Sequence, residues 1–246
     1  MGDFEGLSHE QQLDCLLELA HSALTLYQLP PQPIVGLWNL SENATYKVED
    51  AGTGRKWALR VHRAGYHSKN AVASELAWLM DLRATRIVVT PLPVKGRNGE
   101  LIQVVRHPRM QIPRNVVLFE WEEGAEPGIG EDLVGPFEVL GNVTARMHLH
   151  ARQWRRPPGF ERLTWDFETS LGSKPHWGRW RDGIGVDGEH RELFGRTAAR
   201  IGQRLERYGK GTGRFGLIHC DLRLANLLID AEAVKVIDFD DCGFGW

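Results

Sequence analysis

Cysteine is scarce in this chain of 246 residues: three, at positions 15, 220 and 242. They are too few and too scattered for a disulfide framework or a four-cysteine zinc site. Long apolar runs are absent as well, since none approaches the roughly 18 residues that span a bilayer. The opening MGDFEGLSHEQQLDCLLELA has early acids and no basic cluster before its apolar residues, so it does not read as a secretory signal. Nor is one sign of charge in excess. Thirty Lys and Arg against 32 Asp and Glu leave a formal net charge of −2, which gives no argument for a nucleic acid or a membrane surface as partner. Repeats and long low-complexity linkers are also missing. A reduced, cytoplasmic, globular protein is expected. Its 42% hydrophobic and 25% charged residues are an ordinary balance, and its length allows one or two domains, or one domain of two lobes. Nine Trp point to large aromatic packing or a shaped pocket.

Hydrophobic spacing divides the chain. Ser8 to Tyr27 predicts an amphipathic helix, with Leu13, Leu16, Leu17, Ala20, Leu24 and Tyr27 in register. Ser8 and Gln11 suit a capping box, and Pro30 and Pro31 close the segment. LWNLSENATYKVED and RKWALRVHR alternate around the turn AGTG, as a hairpin does. A helix over 68–83 and strands in VVTPLPV, ELIQVV and NVVLFEW complete a five-stranded antiparallel sheet with one inserted helix. From Glu122 the texture changes. EEGAEPGIGED reads as a linker, and helices follow over 131–152 and 191–208, the second capped by Gly209. The closing LLI and VKVI runs form a small hairpin around DAEA. The expected division is an N-terminal helix plus a β-rich lobe over 1–121 and a helical lobe over 122–246.

The chemistry concentrates in FGLIHCDLRLANLLIDAEAVKVIDFDDCGFGW, residues 215–246. Asp221 and Asn226 flank LRLA, and Asp238 follows at the end of an apolar strand. Oxygen ligands suit Mg²⁺, so Asn226 and Asp238 across a hairpin base would hold one or two ions that bridge nucleotide phosphates. Asp221, on the preceding loop, would accept the proton of an attacking hydroxyl.

His219-x-Asp221-x4-Asn226 with Asp238-Phe239 matches the catalytic-loop and metal-binding spacing of kinases. The wording HCDLRLANLLID…VIDFDD resembles the aminoglycoside phosphotransferase and choline kinase family, near homoserine kinase type II and the bacterial stress-response kinase. The likeness runs from SENATYKV to the end. It implies an α+β, protein-kinase-like two-lobe fold, with ATP and Mg²⁺ as cofactors and a small-molecule hydroxyl as acceptor. By it, Asp221 is the catalytic base, Arg223 neutralises charge on the transferred phosphate, Asn226 and Asp238 bind the metal, and His219 holds the loop. Asp240 and Asp241 are either solvated neighbours or a second metal or substrate site.

The family's strand Lys is Arg60 here, with Glu75 as its helix partner. Arg holds phosphate oxygens bidentately but is not interchangeable with Lys. NLSENATY lacks G-x-G-x-x-G, leaving Ser41, Asn43 and backbone N–H groups to meet phosphate. Backbone groups near Glu120 and Trp121 would meet adenine. His148 and His150 point about 200° apart on a helix and cannot share an ion. Trp165, Trp177 and Trp180 either stack on a cationic or sugar-like substrate or pack a core. Cys220 and Cys242 flank the site as buried thiols. Helices normally follow the metal-binding Asp in this family, whereas this chain ends eight residues after Asp238 on an exposed-sounding GFGW. The expectation is a fragment or a minimal form, with apolar surface uncovered and a tendency to oligomerise. Two rival functions stand beside the kinase: a non-catalytic nucleotide-binding module, and a metal-dependent phosphohydrolase.

Overall fold

A computed structural model describes residues 4–128, 134–230 and 233–246. Helix α1 (His9–Leu24) begins where predicted. The Ser8 side chain accepts from the Gln11 N–H and the Gln11 side chain accepts from the Ser8 N–H, the reciprocal capping box. Its buried stripe is Cys15, Leu16, Leu19, Ala20, Ala23 and Leu24, a slight rotation of the expected face, with Leu13 and Leu17 at its edge.

The sheet has six strands where five were expected: β1 (Ile34–Leu40), β2 (Ala44–Glu49), β3 (Lys56–Val61), β4 (Pro93–Val94), β5 (Ile102–Val105) and β6 (Arg114–Glu120). The order is β1-β2-β3-β6-β4, with β5 also paired to β6 and every pairing antiparallel. The difference lies in the first segment, where Ile34–Leu40 and Ala44–Glu49 pair as separate strands around a turn at 41–43. The Asp50 carboxylate accepts from the N–H groups of Gly52 and Thr53 and shapes the β2–β3 turn. Ser68 caps α2 (Lys69–Ala84), which lies between β3 and β4 in the chain and buries Val72, Leu76, Trp78, Leu79 and Leu82.

Two apolar clusters result. One joins α1 to Tyr46, Val48, Trp57, Leu59 and Leu118. The other joins α2, Val117 and Phe119 to Met147, Leu227, Val236 and Phe239, so α2 and β6 pack on the segment that carries Asp221 and Asp238. Helix α3 is described over Val134–Gln153; the first three residues of the predicted helix, and part of the predicted linker, fall outside the described residues. A short strand β7 (Leu163–Thr164) and helix α4 (Phe167–Ser170) follow. Helix α5 (Gly188–Tyr208) ends at Gly209 with φ +76°, as its C-cap position demands. The predicted face Leu193, Thr197, Ile201, Leu205 is present, yet no residue of α5 is buried; Trp180 and Phe167 cover it only in part.

The closing segment holds β8 (Gly216–Ile218), a hairpin of β9 (Leu227–Asp230) and β10 (Ala233–Val236), and β11 (Gly243–Gly245). GFGW is therefore not an exposed tail. Strand β11 lies between β7 and β8, and the Trp246 indole donates to the Gly209 carbonyl at 2.9 Å. Glycine is needed there because a Cβ at Gly243 would stand 2.5 Å from the Leu163 oxygen. Among the described residues no helix is long and apolar enough to cross a membrane.

The crossing from β6 to the later elements passes Gly124, at φ +143°, where a Cβ would meet Leu228 Cβ at 2.9 Å and the Ile229 oxygen at 3.1 Å. Ala125 and Ile229 then exchange both backbone hydrogen bonds. Gly124→Ala is expected to cost about 2 kcal/mol through strain and overpacking. Calorimetry should show a melting temperature lower by several degrees and a weaker nucleotide complex, because Gly124 lines the central cavity.

Candidate active site

A cavity of about 720 Å³ opens between the sheet and the β9–β10 hairpin, within the usual range for small-molecule sites. Ala58, Leu79, Phe119 and Trp121 line it on one side, and Leu228, Ile237 and Phe239 on the other. Ser41, Asn43, Arg60, Glu75, Glu120, Arg223, Asn226 and Asp238 all reach it. The site residues expected from sequence thus meet at one cavity, apart from Asp221, which joins through its partners.

The loop before β9 is tied down by His219. Its Nδ1 accepts from the Asp221 N–H at 3.3 Å, so Nε2 carries the proton and donates to the Ile237 oxygen at 3.0 Å. Burial pushes His219 down to about 4, keeping the ring neutral in that tautomer. The Asn226 amide donates to both the Asp221 oxygen and its Oδ2, at 2.9 and 2.8 Å. That fixes the Asn226 NH₂ on Asp221 and leaves its carbonyl oxygen as the group able to meet a cation. Arg223 Nε donates to the same Oδ2 at 3.1 Å. Two backbone positions here are left-handed without being glycine, Cys220 at φ +70° and Asp238 at φ +58°. Such conformations cost about 1–3 kcal/mol and cluster at functional sites.

Arg60 on β3 is buried. Its Nη2 donates to Glu75 Oε1 at 2.5 Å, and its Nη1 stands 3.7 Å from Asp238 Oδ1. Burial works against the guanidinium charge, but Glu75, Asp240 and Asp238 outweigh it and hold the pKa above the ordinary value. Asp238 keeps 40% of its side chain accessible yet is enclosed on its remaining sides. That burial, with Asp240 and Glu75 nearby and only Arg60 opposing, pushes it up to about 6. A carboxylate raised in this way, beside an amide oxygen at the same cavity, is the donor chemistry a hard cation takes.

Two expectations need adjustment. The Asn43 Oδ1 accepts from the Arg63 N–H at 3.0 Å, so that oxygen shapes the turn. The N–H of Glu120 donates to the Leu92 oxygen and that of Trp121, at 3.4 Å, to the Lys56 oxygen. An adenine there would meet carbonyl oxygens or the residues that follow.

Asp240 and Asp241 do not line that cavity. Asp240 is buried between His62 Nδ1 at 3.4 Å and His67 Nε2 at 3.7 Å. Burial opposes its charge, but His62 and Arg60 hold it below the usual carboxylate range. Asp241 Oδ1 accepts from the Tyr66 hydroxyl at 2.5 Å. Burial first, then the acids Asp240, Asp221 and Glu42, push Asp241 up to about 6 against the Tyr66 hydrogen bond. Of the three tryptophans, Trp165 and Trp177 pair at 4.6 Å, whereas Trp180 packs on Phe194 of α5. His150 bonds Asp81 at 2.6 Å and stacks on Trp154, and His148 is not with it. Burial raises both cysteines beside the site, Cys220 to about 12.

Sequence reasoning missed Arg162 and Trp38. The buried Arg162 guanidinium donates to the oxygens of Ala71, Asp240 and Cys242, holding the turn after Asp238 to the start of α2. Nothing in ERLTW marks it. Trp38 lines the cavity and meets Trp121 edge-on at 5.2 Å; its place in the strand before the turn at 41–43 was the available signal.

The fold and this geometry have counterparts. A structure of a microcompartment-associated aminopropanol kinase aligns with a TM-score of 0.84 and 46% identity, over 94% of this chain and 71% of that one. An amicoumacin kinase solved with AMP-PNP, Ca2+ and Ami aligns with a TM-score of 0.74 over 97% and 68%; at 20% identity it shows the shared fold. Amicoumacin kinase of Bacillus subtilis (strain 168) is 25% identical over 211 residues, 84% of this chain. The chain spans 58% of that relative's length. The family model described as "Phosphotransferase enzyme family" matches residues 34–246, and with that span, and the α+β kinase-like fold around it, the chain belongs to this family.

Proposed function

We propose that this protein is a cytoplasmic, ATP- and Mg²⁺-dependent kinase that phosphorylates the hydroxyl of a small amino alcohol. The observation that carries the reading is the Asp221 carboxylate, held by Asn226 and Arg223 beside the cavity where Arg60, Glu75 and Asp238 converge. The acceptor class is supported by the 46% identity to a protein described as an aminopropanol kinase. Arg60 in place of Lys does not favour a merely nucleotide-binding module, because its guanidinium reaches both Glu75 and Asp238.

The acceptor hydroxyl lies against Asp221, which takes its proton as the new oxygen–phosphorus bond forms. The bond between the γ-phosphorus and the β–γ bridging oxygen breaks, and ADP leaves with that electron pair. Arg60 and Arg223 meet phosphate oxygens as charge shifts. Mg²⁺, held by Asn226 and Asp238, would supply charge neutralisation on the phosphates. Ala58, Phe119 and Leu228 offer the apolar walls for the base.

Turnover of ATP by the purified chain is expected to require Mg²⁺ and to rise with 1-amino-2-propanol, giving ADP and the phosphorylated amino alcohol in equal amounts. Acceptor-independent phosphate release would support a hydrolase instead.

A further inference from the structure

We infer that Asp241 receives the ammonium group of the acceptor in a seat completed by Tyr66, His67, Trp165 and Trp177. This rests on the amino-alcohol reading above and names the side chains that would enforce it.

The seat is built, not incidental. Tyr66 gives its hydroxyl proton to Asp241 at 2.5 Å and accepts from the Trp177 indole N–H at 3.2 Å. The Trp165 indole donates to the Asp241 backbone oxygen at 2.7 Å, and its ring meets that of Trp177. One aromatic side chain therefore bonds the Asp241 carboxylate, a second bonds its backbone oxygen, and a third fixes the first. Trp177 is 62% exposed, so much of its surface is not spent on a core and stays open to a cation.

The charge asks for a cation. Among the described residues no Lys or Arg forms an ion pair with Asp241, while Arg60 is taken by Glu75 and Asp238 and Arg223 by Asp221. Behind it, His67 and Asp240 are buried; His67 Nε2 lacks a hydrogen-bond partner, and Asp240 Oδ1 has only the His62 contact at 3.4 Å. One atom from each of His67, Asp240 and Asp241 lies within 4.8 Å of the others.

Such a trio suggests two cations, and the aromatic setting favours the ammonium. Acceptors placed tetrahedrally about 2.8 Å from an ammonium nitrogen stand about 4.6 Å apart. Ligands about 2.1 Å from a tetrahedral zinc stand about 3.4 Å apart. The His67 Nε2 to Asp240 Oδ2 separation is 3.7 Å and all three atoms lie within 4.8 Å of one another, a spread that accommodates either cation. An ammonium also carries three donors for these acceptors, and its carbon stem suits the indole faces.

The test compares 1-amino-2-propanol with butan-2-ol, which has a methyl group where the ammonium stands. Calorimetry of the amine into the AMP-PNP-loaded chain is run beside steady-state turnover. Asp241→Asn is expected to raise Kd and KM for the amine about 30-fold, the size of a lost charge-assisted hydrogen bond, and to abolish the preference over butan-2-ol. AMP-PNP affinity reports that the variant is folded. Trp177→Ala, which removes an exposed ring, is expected to weaken amine binding a few-fold and serves if Asp241→Asn does not fold. Equal amine KM in wild type, Asp241→Asn and Trp177→Ala overturns the seat and leaves the kinase reading standing. Phosphorylation of butan-2-ol as readily as the amine does the same. Failure to bind or turn over any amine, with AMP-PNP bound, overturns both. Tight binding of Zn²⁺ alone that is lost in His67→Ala, with amine binding unmoved, makes the trio a metal site and overturns the ammonium assignment.

Discussion

Asp221→Asn is expected to lower kcat for phosphoryl transfer about 10³-fold, the usual contribution of a positioned general base, while AMP-PNP affinity changes by less than about 3-fold. The substitution is nearly isosteric. An asparagine oxygen accepts from the Asn226 amide and Arg223 as the Asp221 Oδ2 does, and the backbone N–H still donates to His219. Only the ability to take the hydroxyl proton is removed. Single-turnover rates with quenched-flow sampling, together with calorimetric titration of AMP-PNP, separate the two quantities. A variant that keeps more than about a tenth of the wild-type rate would remove Asp221 from the role of base. A variant that loses nucleotide binding in proportion would make its role structural.

The parts of the molecule that were legible in sequence are those where chemistry and local geometry coincide. Residues 215–246 pointed to Asp221, Asn226, Asp238 and His219, which the fold brings to and beside one cavity, because each sits at a fixed step from a turn or a strand end. The Ser8–Gln11 capping box was legible for the same reason, being a contact over three residues. Long-range pairing was not. The count of strands depended on Ile34–Leu40 separating from Ala44–Glu49 around a three-residue turn, and no periodicity reveals that. The role of GFGW needed β7, some eighty residues earlier in the chain, to lie beside it. Arg162 bonds three backbone oxygens from two distant segments, and its neighbours in sequence give no sign of it. The pattern of α5 was read correctly as a helix but not its exposure, because periodicity reports a face and not what covers it.

The buried pair of Arg60 and Glu75 carries the other large effect. Glu75 has no exposed surface and Arg60 is 7% exposed. Two charges in such a place cost several kcal/mol each to desolvate, and their attraction does little more than offset this. Breaking the pair from one side is different, since it strands a charge. Glu75→Ala leaves the guanidinium facing only Asp238 at 3.7 Å and Asp240, and is expected to cost about 3–5 kcal/mol. For a chain of this size that is a fall of roughly 10 °C in melting temperature. Replacing both partners with Met should recover most of the stability but not nucleotide binding, because no cation then reaches the cavity from β3. Arg60→Lys keeps the charge and loses the fork, so Glu75 and Asp238 cannot both be held; its expected signature is a near-normal melting temperature with a higher KM for ATP. Scanning calorimetry of the four proteins with and without AMP-PNP checks all of this. Glu75→Ala melting within about 2 °C of the wild type, with AMP-PNP still stabilising it, would mean that the pair does not organise the cleft. Phosphate positioning would then fall to Arg223, on the loop that carries Asp221.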